Sequence, residues 1–384
     1  MNQIMALKGT PSGGRGGAAL EADFVTPHQP AAPIAIEIRT LAGCADITDA
    51  WSHLAARALE PNPFFEPGFA LAAAQHLVAF RDVVAILAWE GGATDARRRL
   101  VGLIPCFPRQ GLFVPDALIG FSDRRIFDGA PLLDGQRAEA VIEAVMDPRR
   151  QRLIEGRGLV LRGIDLNGRL ATTARQAGER LGLATSLRPA PAASRSAAEP
   201  DDIQAWRSAL ARRGKLALVE PRTQAGLRDG VEVILAMEAS GPHARAGAAT
   251  LQDTREVGFL RAMTRGLGRV RQCRVALLML DDQPIAGAIV IGRAQRGWLY
   301  LSAWEEGYVS LMPQRVLLAM MRQAAPARSI LIPGGGPGIE AEGFMSWGEL
   351  HLSAPSAHRP RDLAMRAREA LRRSLFRLPR AGAA

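Results

Sequence analysis

The chain is short of the residue types that most often narrow a function. Its three cysteines, Cys44, Cys106 and Cys273, are far apart and in no C-x-x-C pair. They support neither a disulfide framework nor a cysteine zinc site, and buried thiols are expected. The six histidines show no metal-ligand spacing, so no metal is expected. No Gly-x-Ser-x-Gly elbow occurs and no Ser-His-Asp order is recognisable, which leaves the usual hydrolase nucleophiles without support. Only Lys8 and Lys215 are lysines, and only Tyr300 and Tyr308 are tyrosines. No apolar run reaches the roughly 18 residues of a membrane span, and the first eight residues carry no long apolar signal core, so a cytoplasmic protein is expected.

Hydrophobic residues make up 48% of the 384 and charged residues 22%, a balance that buries a sizeable core. The length suits two domains with a tail. The formal charge is +10, but from His358 to Ala384 eight arginines face only Asp362 and Glu369, so +6 belongs to the tail and +4 to everything before it. With so little excess charge in the body and no reading motif, nucleic acid is not an expected partner. Around the tail arginines, Leu363, Ala367, Leu371 and Leu375 share one helical face. A basic amphipathic helix of this kind lies on an anionic membrane surface or packs its stripe on the domain, and both readings stay open.

Composition divides the chain into a Gly/Ala/Pro-rich leader at 1–33, a first half at 34–187, a Pro/Ala-rich connector at 188–200, a second half at 201–355 and the tail at 356–384. In the first half, alternation predicts strands at 34–39, 83–89, 100–107 and 158–162. Helices are expected from Thr48 or Asp49 through Leu59, from about 68 to 77, from 136 to 146 and from 168 to 181. The second half predicts helices near 203–213, 228–240 and 253–267. There follow a hairpin of Val275–Leu280 and Ile285–Gly292 around the turn Asp281–Pro284, a strand Trp298–Trp304, a helix opened by Pro313 and a strand Ser329–Ile332. Leu100–Cys106 and Ile285–Ile291 echo one another, which suggests two copies of one α+β unit.

Several of these stretches carry a resemblance. The segment Glu238–Gly247 (EASGPHARAG), the hairpin with Pro284–Gly287, the strand up to Tyr308 and the Met312–Pro313 helix start resemble the GNAT acyltransferase superfamily. Within it they are similar to the group named after the cellulose-biosynthesis protein CelD, with its BioF-type acetyltransferase domain, related to the tandem-GNAT Fem ligases. Asn62–Phe65 and Phe121–Asp123 extend the resemblance over about 34–353. It implies an α+β fold of two tandem GNAT-like domains, with mixed, mostly antiparallel sheets flanked by helices. It also implies transfer of an acyl group from acetyl-CoA or another acyl-CoA to an amine or hydroxyl, on a small molecule or a polysaccharide precursor.

By the same resemblance, the pantetheine arm runs along a splayed central strand, here through Ser302 and Ala303. The diphosphate sits on the amides opening the next helix, here Met312, Pro313, Gln314 and Arg315, in keeping with the unpaired donors and partial positive charge of a helix start. Where the group tends to have Ser-Pro-Gly, this chain has Met312-Pro313-Gln314, so a side chain stands where a close phosphate favours glycine. Arg315 and Arg322 could neutralise phosphates. Acyl transfer needs a base for the nucleophile, and Glu238, Glu305 and Glu306 are the carboxylates at hand. Tyr308 is the tyrosine nearest the strand end and is carried as a catalytic candidate. Both tyrosines, however, precede the strand that the usual acid tyrosine follows.

The glycine-rich stretch Pro333–Gly338 lacks the Lys-Ser/Thr of a phosphate loop and is read as a substrate-side loop. Phe344–Trp347 has no lysine where relatives tend to pair one with an aromatic residue. Two further readings remain: a catalytically degenerate GNAT scaffold serving polysaccharide or envelope assembly, and a Fem-like aminoacyl transferase, whose tRNA groove the +4 body does not favour.

Overall fold

In the computed structural model the described residues are 32–91, 98–107, 117–147, 158–190, 202–293, 296–325, 330–333 and 347–353. The leader, the glycine-rich loop, the Phe344–Ser346 segment and the tail helix lie, wholly or nearly so, outside them.

Apolar alternation from Ile34 makes β1 (Ile34–Thr40), which pairs antiparallel with β2 (Val84–Glu90), itself paired with β3 (Arg99–Cys106). Helices α1 (Thr48–Ala56) and α2 (Pro67–His76) connect β1 to β2. Neither Thr48 nor Asp49 is the cap of α1. A 3-10 turn, Ala42–Ile47, runs straight into the helix, Ile47 holds the cap position, and the Thr48 hydroxyl donates instead to the Ala45 carbonyl at 2.8 Å. The helix also stops short of Leu59, because the chain beyond it extends and bridges to the segment at Leu133 and Asp134. Asn62 is buried and satisfied: its Oδ1 accepts from the Phe64 amide, and its Nδ2 donates to the carbonyls of Asp128 and Ala130.

The first half continues through β4 (Leu118–Ile119), β5 (Leu132–Leu133), α3 (Ala138–Met146), β6 (Gly158–Asp165), α4 (Arg169–Arg180) and β7 (Ala184–Pro189). Strand β7 thus runs two residues into the stretch whose composition reads as a connector. The second half comprises α5 (Ile203–Ala211), β8 (Leu216–Val219), α6 (Gln224–Ser240), α7 (Pro242–Arg245), α8 (Thr254–Arg269), β9 (Cys273–Leu280), β10 (Gln283–Arg293), β11 (Arg296–Trp304), α9 (Pro313–Ala324), β12 (Ile330–Pro333) and β13 (Trp347–Ser353). The hairpin turn is tighter than expected. Only Asp281 and Asp282 lie outside the strands, with Asp281 in the left-handed region (φ 54°) that aspartate tolerates. Pro284 enters β10 because the ladder shifts register at Ile285, and a bulge is a place where a strand accepts proline.

Three sheets result, with strand orders β1-β2-β3-β5, β12-β11-β10-β9-β8 and β4-β6-β13-β7. All pairs are antiparallel except β11 with β12 and β4 with β6. In the third sheet β13, from the C-terminal side of the sequence, lies between two first-half strands.

The helices sort the apolar residues into three cores. A central core is shared by both halves and takes in Trp51, Phe64, Phe69, Ile234, Phe259 and Trp298. A second core packs α3 and α4 on the outer side of the first half, and a third packs α5 and α9 on the outer side of the second. The halves meet closely where α2 crosses α8: a Cβ on Gly266 would lie 3.0 Å from the Gly68 Cα, so the two backbones are in contact. The internal echo holds with an offset of one residue. The unpaired bulge residue is Val101 in β3 and Ile285 in β10, so Gly102 corresponds to Ala286, not to Gly287.

Candidate active site

Strand β11 is paired with β10 along its length, from Arg296 opposite Arg293 to Trp304 opposite Ala286. Its other edge carries β12 in parallel, Arg296–Leu299 against Ile330–Pro333, so every described residue of β12 is paired. After Leu299 the register with β10 shifts, Leu299 opposing Val290 and Leu301 opposing Ile289, so Tyr300 is a bulge residue without a partner on β10. A bulge bends the strand and strengthens its twist, a device that often lies beside active sites.

The chain then turns through a 3-10 segment, Glu306–Leu311, into α9. Pro313 takes the first helical position, where its missing N–H costs nothing. Met312 before it is exposed and held in the left-handed region, φ 43° and ψ 54°. Gln314 folds back from the first turn, and its Nε2 donates to the Ser302 hydroxyl on β11. Ser302 and the helix start are therefore joined through the glutamine side chain. Ala303 points the other way, into the central core. The Arg315 guanidinium lies 5.9 Å from the ring centre of Trp206 on α5.

The remaining sequence candidates are spread around this strand end. The Glu305 amide donates to the Ile285 carbonyl at 3.0 Å, and the Tyr308 amide donates to the Glu305 carbonyl at 3.1 Å, which fixes the start of the turn. The Tyr308 ring packs on the outer core, with the Arg213 guanidinium 5.8 Å from its centre. Glu306 is exposed and forks with Arg245, whose hydrogen bonds hold its carboxyl below the ordinary range. Glu238 is on the opposite, central-core side. It is buried at the end of α6, and its Oε2 accepts from the Thr250 amide at 3.1 Å, tying the following turn to the helix.

Sequence reasoning missed the wall that faces β11 from the first half. Arg125 donates to both carboxylate oxygens of Glu256 on α8 and to Asp123, and Arg124 also reaches Glu256. Burial opposes the Arg125 charge, but the hydrogen bonds to Glu256 and Asp123 more than offset it and raise its pKa further. Beside this cluster the Tyr300 ring lies among Phe69, Phe127 and Phe259, at 5.9, 5.7 and 6.4 Å between centres, and burial pushes its hydroxyl well above the ordinary range. Asp123 was visible as part of the Phe121–Asp123 motif. Its neighbours were not, because Glu256 is 131 residues from Arg125.

The arrangement suits direct transfer between two bound molecules. It presents a bulged strand, a helix start for an anion, and the carboxylates of Glu305 and Glu306 directly after the strand for proton transfer. Among the described residues no group of His, Cys, Asp or Glu could hold a metal ion, and no helix is long and apolar enough to cross a membrane.

Residues 201–332, from just before α5 through most of β12, match a family model described as an acetyltransferase (GNAT) domain. The second half thus carries a GNAT-type domain, and the bulge at Tyr300 and the start of α9 lie inside it. Three solved structures are similar in fold. FemX is 11% identical, covering 79% of this chain and 95% of its own, with a TM-score of 0.49. A conserved protein of unknown function from Bacteroides thetaiotaomicron VPI-5482 is 9% identical, covering 83% and 100%, with a TM-score of 0.46. A tandem GNAT protein from the clavulanic acid biosynthesis pathway is 12% identical, covering 84% and 99%, with a TM-score of 0.34. No curated protein matches the chain.

Proposed function

We propose that the protein is an acyl-CoA-dependent N- or O-acyltransferase of the CelD-like kind, acting on a small molecule or an envelope polysaccharide precursor. The observation that carries the reading is the bulge at Tyr300 in β11, followed by the Pro313 helix start, inside the segment that matches the GNAT family model. In this reading the pantetheine amides bond along the Tyr300–Trp304 edge, and the diphosphate rests at the Met312–Arg315 turn. The thioester supplies the activated acyl group. Glu305 at the strand end and Glu238 across it are the candidate bases for the incoming amine or hydroxyl, and Tyr308 is the candidate proton donor. Calorimetric titration with acetyl-CoA and longer acyl-CoAs tests the reading: saturable heat near one site per chain is expected, and neither heat nor a thermal shift at millimolar ligand overturns it.

One observation favours a second reading, a scaffold that has lost donor binding. The Gln314–Ser302 hydrogen bond spans the space that the diphosphate end of the carrier would use. The variant Gln314→Gly separates the two. If the wild type binds acyl-CoA, the glutamine moves aside or serves as a ligand, and the variant binds within a fewfold of it or more weakly. If only the variant binds, the wild type is a closed scaffold.

A further inference from the structure

The second half holds a cavity that the acyl-transfer site does not use. It lies between the N-terminal part of α6 and the C-terminal part of α8 and encloses about 410 Å³. Arg228 is ten residues before Glu238 on the same helix, roughly 15 Å along its axis, so the cavity is removed from the β11 end of the fold.

Its walls differ in character. The deep side is apolar: Leu227 and Val231 are buried, and the buried Thr264 donates its hydroxyl to the Leu260 carbonyl at 2.8 Å, which engages its proton. The helices close beneath it, since a Cβ on Gly268 would lie 3.2 Å from Leu227 Cδ1. The mouth is cationic, with Arg228, Arg261, Arg265 and Arg269 facing one carboxylate, Glu232. That carboxylate is engaged by Arg261 in a forked pair at 2.7 and 2.6 Å. Arg228 has a contact only with Asp229, at 3.4 Å, and Arg265 and Arg269 have no ion-pair partner among the described residues.

Three guanidinium groups over an apolar floor specify a ligand by chemistry. Arg265 and Arg269 are one helical turn apart, which sets their Cβ atoms about 6 Å from each other, a spacing from which two guanidinium forks can converge on one tetrahedral anion. Arginine matches phosphate oxygens in bidentate fashion, and the floor accepts carbon rather than polar atoms. The volume suits a small organic molecule. We propose that this cavity binds an organic phosphate, its phosphate held by Arg228, Arg265 and Arg269 and its apolar stem lying on Leu227 and Val231.

The phosphate ester has two sources, a soluble compound or a phospholipid headgroup, and one set of measurements on the full chain separates them. Phenyl phosphate, inorganic phosphate and phenol are titrated by calorimetry, and co-sedimentation is followed with phosphatidylglycerol and phosphatidylcholine vesicles. Each is repeated with the double variant Arg265→Gln/Arg269→Gln and with Ala225→Trp, which keeps the charge and obstructs the mouth. For a soluble ligand, phenyl phosphate binds about tenfold more tightly than inorganic phosphate, because the ring adds apolar burial. Phenol does not bind, and each variant weakens phenyl phosphate by about tenfold or more at unchanged melting temperature. If instead only phosphatidylglycerol co-sedimentation depends on both changes, the source is the headgroup. The tail arginines are common to all three proteins, so only the difference between them is read. Binding that is the same in wild type and both variants, for phenyl phosphate and for vesicles alike, overturns the proposal.

Discussion

The two halves repeat one unit and use it differently at its fourth strand. In the second half that strand is β11, nine residues long, bulged at Tyr300 and followed by the turn into α9. In the first half the place beside β3 is taken by β5, two buried residues, while β4 pairs in parallel with the next strand, β6, in another sheet. The outer edge of β6 is not left open: β13 crosses from the C-terminal side of the sequence and pairs with it from Trp347 to Ser353. The family model matches only the half with the long, bulged strand.

The largest effect should come from breaking the borrowed strand. Leu350 is fully buried in the outer core of the first half and stands between Leu161 of β6 and Leu187 of β7. Leu350→Ala should cost about 2–5 kcal/mol, the range for a large-to-small change in a packed core. Urea unfolding should show the loss. If the C-terminal strand were peripheral to the first half, the midpoint would barely move.

The second effect concerns the polar contact between the halves at the base of β11. Asp128 is fully buried, accepts from the Ala130 amide at 2.9 Å and lies 3.9 Å from Arg296 Nη1, and burial pushes its carboxyl up to about 7. The folded state therefore binds a proton that the unfolded chain, with a carboxyl near 4, has released. Stability from this group is full below about pH 4 and falls as pH rises toward 7, by roughly 4 kcal/mol. Asp128→Asn keeps an oxygen for the Ala130 amide and has no carboxyl to ionise. Its melting temperature should exceed that of the wild type at pH 8 and match it near pH 4. A parallel pH dependence in both proteins would refute the assignment.

A third measurement tests how closely the halves are joined. Gly266→Ala would press a methyl onto the Gly68 backbone, with 3.0 Å to its Cα and 3.1 Å to its carbonyl oxygen. Overpacking of this kind costs about 1–3 kcal/mol, against a gain of up to about 1 kcal/mol for replacing glycine in a helix. A net loss of about 1 kcal/mol is expected by urea unfolding. A net gain would show that α2 and α8 can part without cost.

These contrasts also mark what the sequence could reveal. The hairpin, the helix start at Pro313 and the burial of all three cysteines were legible, because turn chemistry, a missing N–H and apolar context are local signals. The GNAT-like organisation of the second half was legible from the same stretch. Strand β7 was not, since only Thr185 and Leu187 are even partly buried and the strand runs into Pro189 and the Pro/Ala composition that follows. Strand β13 does alternate, with Gly348, Leu350 and Leu352 buried, yet its partners lie about 160–190 residues away, and no local pattern names them. The Arg125–Glu256 pair was hidden for the same reason. At the site, the bulge at Tyr300 depends on pairing with β10, so the strand was legible and its break was not.

The smallest effect should lie at the start of the helix that follows β5 in one half and β11 in the other. In the first half α3 is entered through Arg137 at φ −119° and ψ 1°, which most residues adopt without strain. In the second half α9 is entered through Met312 in the left-handed region, which costs a side chain with a Cβ about 1–2 kcal/mol. Met312 is 41% exposed, so its replacement loses little packing. Met312→Gly should relieve the strain, less the roughly 0.5–1 kcal/mol by which glycine loosens the unfolded chain, for a net gain of about 0.5 kcal/mol. Arg137→Gly, which meets no strain and loses the Glu90 ion pair, should instead destabilise. Opposite signs in paired denaturation curves would establish that strain is confined to the helix start that follows the bulged strand, as expected where backbone conformation is held for binding. If Met312→Gly also destabilised, the turn would owe its shape to contacts of the methionine side chain, and the difference between the two helix starts would be one of packing.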